Sequence, residues 1–388
     1  MKNERSFLIG KAVNEGVKRM KFICEGTVLS EAAFTVSKAC AAKTVTPILE
    51  CIKLKAENDG VTLMAYDGEI SIEKKIKAEV LEEGELCVNG KTFSDFIGKI
   101  SMLEVSIATS EKGIVIRYAE CESYMQALPA DDFPRFFNRS TEGKEYFEVN
   151  ENEFKTLISQ IVFCCATDES RPILKGALLT AKNGILEGSA LDGFRMANSY
   201  CDIVGNSADM KIVCPARTLT EISRMLDGEN DIKIYASKNM LSVEVQNTII
   251  NSRLYAGEFV KKENIFPIDF TTKVILNRAD VIQSLERASV MIRNDKNNLV
   301  LFDIKPGKIV LTANSGMGKV EETIFAELEG KELKIAMNGK FLLDAVKALE
   351  EEKVIVSFNT SVSPFTLENI EDKACQYLIL PMRTRAVE

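Results

Sequence analysis

Apolar residues recur at i, i+3, i+4 and i+7 in three short stretches of the chain. They are Phe93, Phe96, Ile97 and Ile100; Leu219, Ile222 and Leu226, with Ser223 in the third place; and Leu342, Ala345, Val346 and Leu349. This spacing draws one apolar stripe along a helix. The stretches lie 126 and 123 residues apart, so one short amphipathic helix is written three times. Two copies open on the same tripeptide, Asn89-Gly90-Lys91 and Asn338-Gly339-Lys340, and the middle one on Pro215-Ala216-Arg217.

Other features repeat at nearly the same interval. Asp59-Gly60, Asn183-Gly184 and Pro306-Gly307 each stand between strand-like runs and predict hairpins. Shortly after each come Ala65-Tyr66-Asp67-Gly68, Ala190-Leu191-Asp192-Gly193 and Ala313-Asn314-Ser315-Gly316. Longer helical stretches are predicted upstream, over 29–42, 151–164 and 278–292, with Ser30 and Asn277 as N-caps of the first and third. Alternating strands follow each short helix, as in LEVSIATSEKGIVIRYA, DIKIYASKNMLSVEVQN and KVIVSFNTSVSPFTLEN. The unit reads strand, helix, strands, helix, strands. The fold class is therefore α+β in three tandem similar domains, with boundaries expected at 20–142, 143–271 and 272–388.

Composition narrows the chemistry. The 388 residues are 46% hydrophobic, enough for sizeable cores, and no apolar run approaches the roughly 20 residues that span a bilayer. Residues 1–19 lack the apolar core of a signal peptide. The ten cysteines are scattered without C-x2-C pairs, which reads as reduced thiols in a cytoplasmic protein with no metal site and no cofactor. Histidine is absent, which removes the commonest general base and metal ligand.

Net charge is −8, yet six helical windows, 29–43, 90–100, 151–161, 215–226, 277–293 and 339–349, hold 12 Lys and Arg against 8 Asp and Glu. The helices are thus mildly basic on an acidic protein, where ordinary solvated faces are the competing reading. Lys91, Arg217 and Lys340 share one repeat position, about 160° around the helix from its first apolar residue.

Six stretches carry a specific resemblance: TPILECIKL from Thr46, LPADDFP from Leu128, DESRPILKGALL from Asp168, LDGFRMA from Leu191, YLILPMR from Tyr377, and MKF from Met20. With the threefold repeat, the chain resembles the beta sliding clamp family of bacterial DNA polymerase III over residues 20–388. The resemblance implies a DNA clamp fold: a homodimeric ring, helices lining the hole and antiparallel sheets outside, threaded on duplex DNA. Six helices at ~10 Å spacing enclose a circle only about 19 Å across. Twelve leave a hole of roughly 28 Å, so a ring around B-DNA needs two chains.

The resemblance further implies a non-catalytic processivity factor that recruits the replicative polymerase, the clamp loader and repair proteins. Phosphate contacts would come from Lys43, Lys91, Arg171, Arg217, Arg224 and Lys340. A hydrophobic pocket for short peptide motifs would be formed by Leu174, Leu191, Gly193, Phe194, Arg195, Met196, Val260, Ile265, Asn338, Phe341, Val362, Leu378, Leu380, Pro381, Met382 and Arg383. Arg195, Asn338 and Arg383 are expected at its rim as hydrogen-bonding groups. The dimer contact is expected at Met125, Met291 and Ile292. Phe194 and Val260 depart from the family pattern, where a polar ring and a proline are common, and the chain runs five residues past Arg383.

Two other readings exist. Asp67 and Asp192 could be paired carboxylates of an enzyme, but equivalent turns in tandem copies would hold them apart, and the third copy has Ser315. A repeat-built protein scaffold that does not encircle DNA is the alternative function. Residues 1–19 have no counterpart in the resemblance and are expected to be a disordered extension.

Overall fold

The computed structural model describes residues 19–134, 145–205, 208–228, 230–260, 265–293 and 297–384. The expectation for residues 1–19 therefore falls, except for Arg19, outside the described residues.

Six α-helices occur among the described residues: α1 (Gly26–Ser37), α2 (Gly90–Lys99), α3 (Glu151–Ile161), α4 (Ala216–Met225), α5 (Arg278–Ile292) and α6 (Gly339–Ala348). They alternate with antiparallel strands in the predicted order. The apolar stripes face inward: Phe93 and Ile97, Leu219 and Ile222, and Leu342, Ala345 and Val346 are all buried. Asn89, Asn150, Asn277 and Asn338 cap α2, α3, α5 and α6, each accepting backbone N–H bonds at its side-chain oxygen.

Ser30 is not a cap. α1 begins at Gly26, with Ser30 inside it, and ends at Ser37 rather than residue 42. The first N–H of this helix is satisfied from a distance, by Leu103 O at 2.9 Å, so a capping side chain is unnecessary. The other long helices repeat the contact: Glu151 N donates to Asn230 O at 2.9 Å, and Arg278 N to Glu352 O at 2.8 Å. Each long helix is thereby tied to the loop that follows its short partner.

The hairpins form as predicted. Asn183 and Gly184 both take positive φ between Lys182 and Ile185, as a two-residue hairpin turn requires. In the first copy the turn residues are Asn58 and Asp59, and Gly60 follows at φ 136°. Asp67 and Asp192 are turn formers: each side chain accepts two backbone N–H bonds, from Glu69 and Ile70 and from Phe194 and Arg195.

Contacts divide the chain into two units. The first joins the residues before 145 to Ile232–Arg253, and the second joins Glu145–Asp231 to Leu254 onward. The middle repeat is shared between them because strands of successive repeats pair edge to edge. In the first unit Thr248–Arg253 pairs antiparallel with Ile70–Ile76, with Ser252 opposite Ile70 and Thr248 opposite Lys74. In the second, Arg195–Asp202 pairs with Cys375–Ile379, with Arg195 opposite Ile379 and Ser199 opposite Cys375. Ile70 and Arg195 occupy one repeat position, three residues after the turn aspartate, so both junctions use the same register. Sheets continued in this way leave no exposed edge at either junction.

α1 packs with α2 in the first unit, and α3 with α4, α5 with α6 and α3 with α6 in the second. The cores are aliphatic and aromatic, with Leu29, Ile52, Leu54 and Phe93 in one and Phe154, Phe302, Phe358 and Tyr377 in the other.

Candidate functional site

The second unit contains an apolar cluster beside its junction. Met196 and Leu378 face each other across the paired strands, and Leu174, Leu191, Ala166, Val213 and Phe259 pack with them. Ile173, Leu178, Tyr255, Ile265 and Phe266 lie against this floor, partly buried. Large apolar groups of the same unit reach solvent: Phe194 is 62% exposed, Val362 59%, Val260 40% and Leu380 38%. Phe194 and Leu380, bonded through their backbones next to the Met196–Leu378 pair, set exposed apolar surface beside that buried cluster.

The sequence named five residues that lie together in this cluster, Leu174, Leu191, Met196, Leu378 and Ile265. It missed Ala166, Val213, Phe259, Tyr255 and Phe266. The last three belong to one irregular segment, whose apolar spacing follows no helix or strand period and so gave no signal. Gly193 shapes the rim: it takes φ 94°, which lets the turn after Asp192 present Phe194 outward.

Arg195 has a different role from the one expected. Its side chain is only 10% exposed, and each of its three nitrogens donates inside the protein. Nε donates to Asp192 at 3.1 Å, Nη1 to Asp344 at 2.8 Å and Nη2 to the Phe163 carbonyl at 2.7 Å. The guanidinium also lies 4.4 Å from the Phe341 ring centroid and 5.3 Å from that of Phe163. It therefore clamps the Asp192 turn to α6 rather than offering hydrogen bonds at a rim. Phe194 and Phe341 stack at 6.4 Å above this clamp.

Asn338 is likewise committed, its side-chain oxygen accepting from Lys340 N and Phe341 N as the α6 cap. Arg383 remains exposed. Leu380 N donates to Phe194 O and Met382 N to Ala336 O. These two bonds lay the segment Leu380–Met382, with half-buried Pro381 and Met382, along the aromatic stack.

The basic candidates occupy the expected faces. Lys91, Arg217 and Lys340 each stand second in a short helix and are exposed, as are Lys43 and Arg171 in loops. Arg224 is exposed and pairs with Glu221 of its own helix at 2.5 Å. Other helical cations are structural: Arg278 donates to Val346 O and Lys347 O, closing the C-terminus of α6, and Lys155 donates to Leu226 O beyond α4.

Besides the outer edges of the strands that end each sheet, two partly open edges occur among the described residues. In Cys121–Leu128, residues Cys121–Gln126 pair with Gly113–Tyr118 on one side, but on the other only Ala127 and Leu128 find partners. Gly318–Gly330 pairs with Gly307–Ser315 on one side, while on the other only Ala326–Gly330 pairs, with Thr272–Leu276. Cys121–Gln126 and Gly318–Phe325 are consequently unpaired outward, and they carry the exposed rings Tyr124 and Phe325. Met125 stands on the first edge. Met291 is half-buried beside Gly318 on the second, its carbonyl accepting from Ser315 Oγ at 2.7 Å. Ile292, only 1% exposed, is a core residue that supports α5 from beneath and presents no surface.

The buried thiols are not activated. Burial pushes Cys24, Cys40, Cys165, Cys201 and Cys375 up to about 12. No cluster of Cys, Asp or Glu suited to a metal occurs among the described residues, and no helix among them is long and apolar enough to cross a membrane.

Comparison with known proteins shows the family. Three family models match in succession: the DNA polymerase III beta subunit N-terminal domain over residues 20–137, its central domain over 148–261 and its C-terminal domain over 263–383. The beta sliding clamp of Bacillus subtilis is 32% identical over 379 residues, covering 94% of this chain and 100% of that protein. That of Halalkalibacterium halodurans is 30% identical over 381 residues with the same coverage. Among solved structures, the DNA polymerase sliding clamp from Bacillus subtilis superposes with a TM-score of 0.89 at 31% identity, covering 94% of this chain and all of that one.

Proposed function

The chain belongs to the DNA polymerase III beta subunit family, and from that membership we propose that it is a DNA sliding clamp. In this reading two copies close a ring around duplex DNA, hold the replicative polymerase to its template and dock partners through the apolar pocket of the second unit.

One observation carries the ring. Ile70–Lys74 pairs with Thr248–Ser252, and Arg195–Ser199 pairs with Cys375–Ile379, at the same repeat positions and in the same register. In each case the third strand of one repeat's first half meets the third strand of the next repeat's second half. The third repeat offers the same strand, Gly318–Glu322, and the first repeat offers its counterpart, Cys121–Met125. Both are the partly open edges described above. A second copy satisfies both edges twice by one two-fold operation, the commonest symmetry of homo-oligomers. Extending the register places Gly318 opposite the partner's Met125, and Glu322 opposite the partner's Cys121. Met125 and Met291 are then contact residues.

Sliding asks for attraction that does not depend on sequence and is not too strong. Lys43, Lys91, Arg171, Arg217, Arg224 and Lys340 supply exposed cations suited to phosphates, whose attraction does not depend on base sequence. Residence on DNA would come from topology. Partner docking draws on adaptable Met and aliphatic walls, which suit several peptides rather than one. The Phe194–Phe341 stack and exposed Arg383 flank that surface. The protein would act in the cytoplasm, as a non-catalytic subunit.

Arg217→Glu combined with Arg224→Glu tests the assignment of the lining helices. Loading on nicked circular DNA should fall and polymerase processivity should drop with it, while dimerisation and peptide binding persist. Unchanged loading and processivity would remove these helices from the DNA path.

A further inference from the structure

α1 carries a large ring that packs into no core. Leu29, Ala32, Ala33 and Val36 are buried beneath the helix, whereas Phe34 is 59% exposed on its outer side. One turn on, Lys38 closes the helix and places Nζ 3.8 Å from the centroid of the Phe34 ring. We propose that Phe34, with Lys38 over its ring and Lys91 nearby, is a platform on which an unpaired base of single-stranded DNA stacks. The site lies within the first unit of one chain, so it goes beyond the clamp reading and does not need a closed ring.

The charges around the ring favour that occupant. α2 runs antiparallel beside α1: Gly26 N donates to Leu103 O just past the end of α2, Gly98 lies against Ser30, and Gly90 against the Cys40 thiol. This brings Lys91, exposed and second in α2, to the end of α1 that carries Lys38, and exposed Lys43 follows in the next loop. The carboxylates of the two helices are Glu31 and Asp95; Glu31 is already paired with Lys74 of the sheet at 2.5 Å, and Asp95 is exposed. An aromatic face set among cations suits a single strand, because every base has a π-face to stack and the ammonium groups meet its phosphates. Duplex DNA keeps its bases stacked inside and offers such a ring little beyond sugar and phosphate.

The other repeats lack the platform. Aligning the buried positions of α1 with Phe154, Leu157, Ile158 and Ile161 of α3, and with Val281, Ser284, Leu285 and Ala288 of α5, puts Ser159 and Glu286 where Phe34 stands. Phe163 and Val290 stand where Lys38 does. Ser159 offers no ring, and Glu286 would repel a phosphate and is paired with Lys347. Phe34 is thus an addition to one helix and not a product of the repeat. In the clamp reading α1 faces the path of the DNA, where single-stranded template adjoins a primer end.

The chain has no Trp, so Phe34→Trp gives the full chain a single indole at the platform. An oligothymidylate of about 20 nucleotides at low salt should quench its fluorescence saturably, a blunt duplex of the same length should not, and Ser159→Trp on α3 should respond to neither. In the otherwise unchanged chain, Phe34→Ala should weaken binding of labelled oligothymidylate, read by fluorescence anisotropy, by about 5- to 20-fold, and Phe34→Tyr should retain it. Lys38→Met should reduce the slope of log affinity against log salt by about 0.7 in magnitude. Short linear DNA is not held by a ring, so the titration reads the platform whether or not two copies close. Equal quenching of Phe34→Trp by the duplex would assign the ring to double-stranded backbone and overturn the single-strand assignment. No quenching of Phe34→Trp, or an affinity unchanged by Phe34→Ala, would overturn the platform altogether.

Discussion

Replacing Arg195 with Met removes the guanidinium while keeping most of the stem, so the change isolates the clamp between the Asp192 turn and α6. Three hydrogen bonds are lost, at 3.1, 2.8 and 2.7 Å, and two of their acceptors are carboxylates with 15% and 29% side-chain exposure. Removing one partner of a buried ion pair costs about 3–5 kcal/mol. Asp344 can recover part of its hydration, which lowers the expected loss to about 2–4 kcal/mol. The chain has no Trp, so urea unfolding is best followed by circular dichroism, with amide exchange in α6 and Arg195–Ser199 assigning the transition to the second unit. A cycle with Asp344→Asn should show coupling of about 1–2 kcal/mol. A loss under about 0.5 kcal/mol, or strict additivity with Asp344→Asn, would refute the clamp and return Arg195 to the rim.

Two further outcomes follow from the same geometry. Glu351 accepts N–H bonds from Asp372, Ile370 and Glu371 at 2.7, 2.9 and 3.2 Å, which holds its carboxyl below the ordinary range. A carboxyl depressed by folding contributes stability that is present above its unfolded pKa of about 4.3 and lost as pH falls through the folded value. Amide protection at Ile370–Asp372 should fall in that acidic window, and Glu351→Gln should abolish the pH dependence; protection that is flat with pH would contradict it. Met382→Ala should weaken a Gln-x-x-Leu-Phe peptide by about 1–2 kcal/mol through lost apolar contact, with the unfolding midpoint little changed. Fluorescence anisotropy with labelled peptide reads this, and unaltered affinity would place the peptide elsewhere.

Much of the fold was legible because it is written three times. A period near 125 residues located the short helices, the hairpins and the turn aspartates without any tertiary information, since each depends on local spacing and turn chemistry. The misses are of another kind. α1 starts early because Leu103, far along the chain, accepts its first N–H. Arg195 looked like a rim donor because the sequence shows neither Asp344 nor the Phe163 carbonyl beside it. Asn338 seemed drawn toward partners, yet it caps α6 just as Asn89 caps α2. Ile292 follows Met291 in sequence, but on a helix the next residue turns about 100° away, here into the core. For α1 and Arg195 the deciding neighbour is distant in the chain, whereas for Asn338 and Ile292 it is the local geometry of the helix.

The ring is the central claim, and a covalent closure tests it most directly. Directly opposed residues in an antiparallel pair have Cα atoms about 4.5–5.5 Å apart, within reach of a disulfide. Cys121 is exposed, so Glu322→Cys alone should let oxidation link two chains through both contacts. The protein is loaded on nicked circular DNA, oxidised, and passed through gel filtration in molar salt. The closed ring should stay with the circle, and should be released when the DNA is cut to a linear form. Failure to cross-link, or release from the circle despite complete cross-linking, would contradict a ring that encircles DNA.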